Sequence, residues 1–274
     1  MDLIEKLKEF RTTDRNVYPE LIGYSKNQLY ENMIGCGGLY LAAKMLRQMN
    51  IKKGDILLDL GCGFGTTSLF LAKYFDVTVI AADLWNPPEI IAEKALKENL
   101  SNRIIPICLD ITQTIPFAEN YFDAIFCMNS LFMFGDHVEF LSKLLKVLKP
   151  GGNFCLGSEC FNQEPNYKNK DEVPKVYNFE WEWSVWESCF SKYHYPQWWE
   201  SLFRKTNMLD ISYCQELNDG VILWEDSAVN YYDYYSKVLS LGAMIPQERL
   251  VDMILYGKQN VPYTTLFILA GIRK

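Results

Sequence analysis

Ile56-Leu57-Leu58-Asp59-Leu60-Gly61-Cys62-Gly63-Phe64-Gly65-Thr66 is the stretch on which the fold turns. Five mostly apolar residues end in alternating glycines, which suits a buried parallel strand closing in a tight turn. From Thr66 to Tyr74 the apolar residues Leu69, Phe70 and Ala72 recur at helical spacing. Strand, glycine turn and helix in that order make a cradle in which backbone and helix N-terminus approach a ligand closely.

Working outward, the same alternation continues. Val77–Ala82 reads as a second strand, Glu89–Asn99 as a helix, Ile104–Leu109 as a third strand and Phe122–Met128 as a fourth. Val138–Leu148 reads as a helix stopped by the breaker Lys149-Pro150-Gly151-Gly152, and Asn153–Glu159 as a fifth strand. Upstream, Gly37-Gly38 open a helix over Leu39–Met49. Strands and helices in strict alternation with short connections imply a doubly wound parallel α/β sheet.

After Glu159 the character changes. Residues 160–200 read as an aromatic loop holding Trp181, Trp183, Trp186, Trp198 and Trp199. Met208–Gln215 and Thr264–Ile272 read as further strands. Between them a helical insertion over 224–256 is broken at Gly242 and Pro246. The chain is expected to be one domain, with an N-terminal helical segment (1–50), a core (51–160), insertions (161–205 and 220–260) and C-terminal strands within 206–274.

Composition narrows the partners. The 274 residues carry a net charge of −7, a pI near 5.0 and a mean hydropathy of −0.10, with 49% hydrophobic residues. Lys143, Lys146 and Lys149 are sparse and read as a solvated helix face, so no basic stripe suits a phosphate backbone. A small molecule is the expected partner, and nucleic acid is not. The eight cysteines form no CxxC or CxxH pair, which disfavours a zinc site. Cys108, Cys127, Cys155 and Cys214 lie in apolar runs, where free cysteine packs as a small hydrophobe. The charged N-terminus lacks a signal-peptide core, and no apolar run reaches the ~18 residues of a membrane span. A cytoplasmic location without membrane insertion is the expectation.

The loop alone indicates only a nucleotide-like ligand. Two acids sharpen it: Asp83 ends the second strand about twenty residues on, where a ribose diol can be bound, and Asp110 closes the third strand, where an adenine amino group can be met. The dinucleotide fingerprint wants a third glycine three residues after the second, and Thr66 stands there. An NAD-dependent oxidoreductase is therefore the weaker of two readings.

Taken together, these motifs resemble those of class I S-adenosylmethionine-dependent methyltransferases. Asp59-Leu60-Gly61-Cys62-Gly63-Phe64-Gly65 is similar to their first signature. Asp83, Leu109-Asp110-Ile111, Ile115-Pro116-Phe117 before Phe122-Asp123-Ala124-Ile125, and Leu148-Lys149-Pro150-Gly151-Gly152 follow in order. The nearest flavour is the small-molecule branch with quinone-biosynthesis and sterol enzymes. The resemblance covers roughly residues 37–160. It implies a Rossmann-like, seven-stranded, mostly parallel sheet whose last strand is antiparallel, and S-adenosyl-L-methionine as cofactor.

It also implies roles. Asp59, Gly61 and Gly63 would face the methionine part, with a structural cap of the turn as the other reading of Asp59. Asp83 would bind the ribose, Leu84 and Trp85 would cover the adenine, Asp110 and Ile111 would flank it, and Asn129 would face the methyl end. The insertions would form a lid over the acceptor, whose N, O, S or C atom receives the methyl group. A non-catalytic protein that binds the same cofactor is the remaining rival.

Two residues are candidates for acid–base work. Glu159 ends the fifth strand on the ligand-binding edge. His194 sits beside Trp198-Trp199, and histidine is the side-chain type most often used as a general base. For both, an ordinary surface or packing role is the competing reading. His137 reads as a capping or surface residue. Trp181, Trp183 and Trp186 alternate with Glu180, Glu182 and Glu187, as an aromatic box or as lid packing.

Overall fold

The computed structural model describes residues 11–30, 33, 35–162, 193–227 and 264–274. Most of both predicted insertions, including Trp181, Trp183 and Trp186, lies outside the described residues.

Seven strands form one sheet: β1 (Ile56–Leu60), β2 (Thr78–Asp83), β3 (Ile104–Cys108), β4 (Phe122–Met128), β5 (Leu148–Phe161), β6 (Leu209–Glu216) and β7 (Thr264–Arg273). Their order is β3-β2-β1-β4-β5-β7-β6. β1 to β5 pair in parallel. β7 inserts between β5 and β6 and runs antiparallel to both. This is the seven-stranded, doubly wound arrangement expected from the sequence, with its last strand reversed.

The inner strands are largely apolar on both faces because helices cover both. Leu57, Val79, Ala81, Phe126 and Cys155 point to a layer made by α1 (Gly38–Leu46), α2 (Thr66–Phe75) and α3 (Pro88–Lys97). Their neighbours Leu58, Ile80, Ala82, Cys127 and Phe154 point to the opposite layer, α4 (Val138–Val147) and α5 (Pro196–Lys205). Burying one such aliphatic side chain stabilises the fold by about 1.5–3 kcal/mol, which makes these two layers the main source of stability.

Three local readings need correction. Residues 196–205 are not loop but α5, started by Pro196 at its first position and burying Trp199, Leu202 and Phe203; their i, i+3, i+4 spacing is an apolar helix face. The Pro150-Gly151-Gly152 breaker does not lie between elements. It is a bulge inside β5, where pairing jumps from Phe122–Leu148 to Ala124–Asn153 and Gly151 adopts φ +78. Cys108 is exposed and Cys214 half-buried, whereas Cys127 and Cys155 are buried as expected. His137, at the N-cap position of α4, makes no side-chain cap hydrogen bond and is exposed, which agrees with the surface alternative.

The segment 11–30 runs as a strap of short 3-10 turns over α1, with Tyr18 packed on Tyr40 at 4.8 Å between ring centroids. It is fastened to a helical stretch at 220–227. Arg11 grips Glu225 through Nε (2.8 Å) and Nη2 (3.1 Å), the Thr13 N–H donates to Asp226, and the Tyr18 hydroxyl donates to Asp219.

Candidate functional site

The strand order reverses between β1 and β4, the place where open α/β sheets leave a crevice at their carboxyl edge. The glycine loop leaves β1 there. Gly61, Gly63 and Gly65 all have positive φ (+70, +57 and +78). At Gly61 a Cβ would lie 2.3 Å from the Cβ of Ser130, so the loop after β4 presses on it directly. At Gly63 a Cβ would meet nothing within 4 Å: the space above it is open.

Four of the five loop N–H groups are already used. Gly61 and Cys62 both donate to the Ala82 carbonyl, Gly65 donates to the Cys62 carbonyl, and Gly63 donates to Asp83 Oδ2 at 2.9 Å. Lys94 of α3 clamps the loop from outside, donating to the Phe64 carbonyl at 2.9 Å with its ammonium 5.5 Å from the Phe64 ring centre. A loop that binds phosphate presents its N–H groups outward. This one spends them on its own frame.

Carboxylates surround it instead. Asp83 Oδ1 accepts from the N–H groups of Trp85 and Asn86 and from Asn86 Nδ2, so the whole side chain organises the β2 turn. Asp59 is almost wholly buried, and its Oδ2 accepts from the hydroxyls of Thr67 and Ser68, both at 2.6 Å. Burial raises its pKa to about 6, against the opposing effect of those two hydroxyls. Asp59 thus ties β1 to the first turn of α2. Burial, with Asp59 and Asp83 nearby, also pushes the Cys62 thiol well up, leaving it a packed thiol and no nucleophile.

On the adenine side implied by the resemblance, Leu84 and Trp85 stand exposed (46% and 72%) at the end of β2, and Ile111 is buried. Asp110 Oδ1 accepts from the N–H and hydroxyl of Thr112, which holds its carboxyl below the usual range.

At the other side of the crevice four residues meet that local sequence patterns do not connect. Asn129 takes a left-handed conformation (φ +53) as β4 ends, and its N–H donates to the Gly157 carbonyl of β5. Its Nδ2 donates to the Cys36 carbonyl at 2.8 Å, and a Cβ on Gly35 would collide with it. The Cys36 thiol donates to Glu159 Oε1 at 3.1 Å, and Trp224 Nε1 donates to the same oxygen at 3.0 Å. Burial, then the adjacent Glu159, raises the Cys36 thiol far above its ordinary value, so it stays a donor. The Gly37 N–H reaches Ser227 at 2.6 Å, closing the cluster onto the helix that holds the strap.

Glu159 is therefore brought into this cluster, together with Asn129. His194 is engaged in aromatic packing, stacked on Trp198 at 3.5 Å and edge-on to Trp199 of α5. Cys36 and Trp224 were missed in the sequence, since the contacts with Glu159 span 123 and 65 residues. Among the described residues no cluster of three or more His, Cys, Asp or Glu could hold a metal ion. None of the described helices is long and apolar enough to cross a membrane.

Residues 58–156 match the family model described as a methyltransferase domain. Phosphoethanolamine N-methyltransferase 1 of Arabidopsis thaliana is 30% identical over 131 residues, covering 47% of this chain and 26% of that protein. Sterol 24-C-methyltransferase of Saccharomyces cerevisiae is 29% identical over 143 residues, 52% of this chain and 36% of that protein. The chain thus spans about a quarter to a third of the length of these curated relatives. In fold it is similar to phosphoethanolamine N-methyltransferase 2 of Haemonchus contortus in complex with S-adenosyl-L-methionine, with a TM-score of 0.68 at 19% identity, covering 95% of this chain and 60% of that one.

Proposed function

We propose, from the premise that residues 58–156 are a class I methyltransferase domain, that this chain transfers a methyl group from S-adenosyl-L-methionine to an N, O, S or C atom of a small molecule. The observation that carries the proposal is the state of the glycine loop. Four of its five N–H groups are satisfied internally, Asp59 and Asp83 flank it, and Glu159 of β5 lies on the same face of the sheet. Such a site suits a cationic ligand and disfavours the pyrophosphate of a dinucleotide, which weighs against the oxidoreductase reading.

The residues present fit that cofactor. Open space lies over Gly63, the Asp83 carboxylate stands beside it for a ribose, and Leu84, Trp85 and Ile111 offer apolar cover for an adenine, with Asp110 at its edge. Asn129 lies on the methyl side, and Asp59 is a positioning residue that fixes Gly61 through the β1–α2 junction. When bound, S-adenosyl-L-methionine supplies a methyl group already activated by its sulfonium. The protein's task is then alignment and exclusion of water, worth on the order of 7–11 kcal/mol in the best intramolecular models. Of the two candidates to hold or move an acceptor's proton, Glu159 stands in the crevice and is the one proposed, while His194, stacked on Trp198, is read as a packing residue. The insertions are the proposed lid. A cytoplasmic location, one domain over the whole chain and no nucleic-acid partner belong to the same proposal.

The relatives bear names of both N- and C-methyltransferases, so likeness alone does not choose the atom. Calorimetry with S-adenosyl-L-methionine and S-adenosylhomocysteine is the test. Binding of both, with S-adenosylhomocysteine released when metabolite fractions are added, is expected. No heat from either at high micromolar concentration sinks the proposal, and binding without turnover across the fractions leaves the non-catalytic reading.

A further inference from the structure

We infer that Glu159 is the recognition point for a cationic nitrogen, so that the acceptor is an amine rather than a neutral hydroxyl compound. The inference rests on the methyltransferase reading and adds the substrate class to it. Glu159 sits half-buried on β5, two strand positions beyond Gly157, on the same face as Asp59 and Asp83. Its Oε1 accepts both the Cys36 thiol and the Trp224 indole N–H, while Oε2 takes no hydrogen bond among the described residues. No Lys, Arg or His of the described residues forms an ion pair with it, in contrast to Glu225, which Arg11 grips with two bonds.

A carboxylate drawn partly out of water is costly unless a cation or further donors complete it. The donors already present are neutral and all fall on one oxygen. The same crevice holds a second acceptor, Asn129 Oδ1, that takes no hydrogen bond among the described residues and is joined to Glu159 through Cys36. What is missing is positive charge that carries N–H groups. A protonated amine supplies both, by charge-assisted hydrogen bonds, and the fixed indole of Trp224 beside the carboxylate adds an aromatic neighbour suited to alkylammonium groups. A hydroxyl compound supplies one donor and no charge.

The design of the cluster also supplies the control. In Glu159→Gln the side-chain carbonyl can still accept from Cys36 and Trp224, so the packing role survives and only the charge goes. The full chain would be saturated with S-adenosylhomocysteine, and weak binding read by ligand-observed NMR. The probes are benzylamine and ethanolamine against their hydroxyl counterparts, benzyl alcohol and ethylene glycol. The parent is expected to favour each amine by about tenfold, the equivalent of ~1.4 kcal/mol. The preference is expected to vanish in Glu159→Gln and to persist in Glu159→Asp, which keeps the charge. Equal binding of amine and alcohol by the parent overturns the inference, as does a preference that survives in Glu159→Gln. Saturation with S-adenosylhomocysteine is measured first. Its failure would count against the methyltransferase reading itself, separately from the choice of acceptor.

Discussion

Asp83 Oδ2 accepts the backbone N–H of Gly63 at 2.9 Å, joining the end of β2 to the middle of the glycine loop across 20 positions. The acid that would bind the ribose therefore also sets the shape of the cradle, because its other oxygen fixes Trp85 and Asn86. Removing it loosens the loop and deletes the ribose acceptor together. Asp83→Ala is expected to lose roughly 10- to 100-fold in affinity for S-adenosylhomocysteine, the range of one or two hydrogen bonds to a charged group. Calorimetry on parent and variant decides it, and equal affinities would remove Asp83 from the site.

Gly61 and Gly63 share a left-handed backbone but differ in surroundings, and alanine should separate them. At Gly61 the new Cβ strikes Ser130 at 2.3 Å, so Gly61→Ala should lower the melting temperature through both strain and collision. At Gly63 only the backbone cost of about 1–2 kcal/mol applies, because nothing lies within 4 Å. Gly63→Ala should stay folded yet bind the cofactor poorly, its methyl standing in the open space of the cradle. Thermal melts with and without S-adenosylhomocysteine distinguish the two. A ligand-induced rise in Gly63→Ala equal to that of the parent would mean that the space is not where the cofactor lies.

Asp59 makes stability depend on pH in a direction opposite to most carboxylates. Its pKa is raised to about 6 by burial, so the folded state binds the proton more tightly than the unfolded chain does. The resulting stabilisation is complete below about pH 4 and is lost as pH rises through about 6, amounting to about 3 kcal/mol. Asp59→Asn cannot titrate and keeps an acceptor for Thr67 and Ser68. Relative to the parent it should gain stability between pH 4.5 and pH 7.5, as read by denaturant melts at both values. A constant difference between the two proteins would show that Asp59 does not titrate in that window.

His194 is stacked on Trp198, a role that a carbocyclic ring can fill. His194→Phe is expected to retain activity within roughly threefold, against the 10²–10⁴ that loss of a general base removes. Turnover measured across pH 6–9 checks this, and a large loss that follows histidine titration would restore His194 to the chemistry.

The sequence discloses what repeats locally and conceals what depends on distant encounters. β1 to β4 and their helices could be read because their apolar residues recur with a period that the sheet and its two helical layers enforce. The helix at Pro196–Lys205 was legible in principle, through a proline at its first position and the Trp199, Leu202, Phe203 spacing, but its density of aromatics resembles an irregular segment. That Asp59 turns inward to Thr67 and Ser68 is decided by which face of β1 it occupies, since Leu57 and Leu58 point to opposite layers. The Cys36–Glu159–Trp224 group leaves no trace in any window of residues, because three separate segments supply it.

β7 (Thr264–Arg273) follows the other six strands in sequence, yet it is laid between β5 and β6 and pairs with both along most of its length. A ribosome would thus have released the entire cofactor cradle before the strand that unites β6 with the rest of the sheet exists. Until then β5 and β6 both present unpaired edges, the state most exposed to wrong partners. Loss of β7 pairing should therefore harm yield and solubility far more than an equal change in a loop.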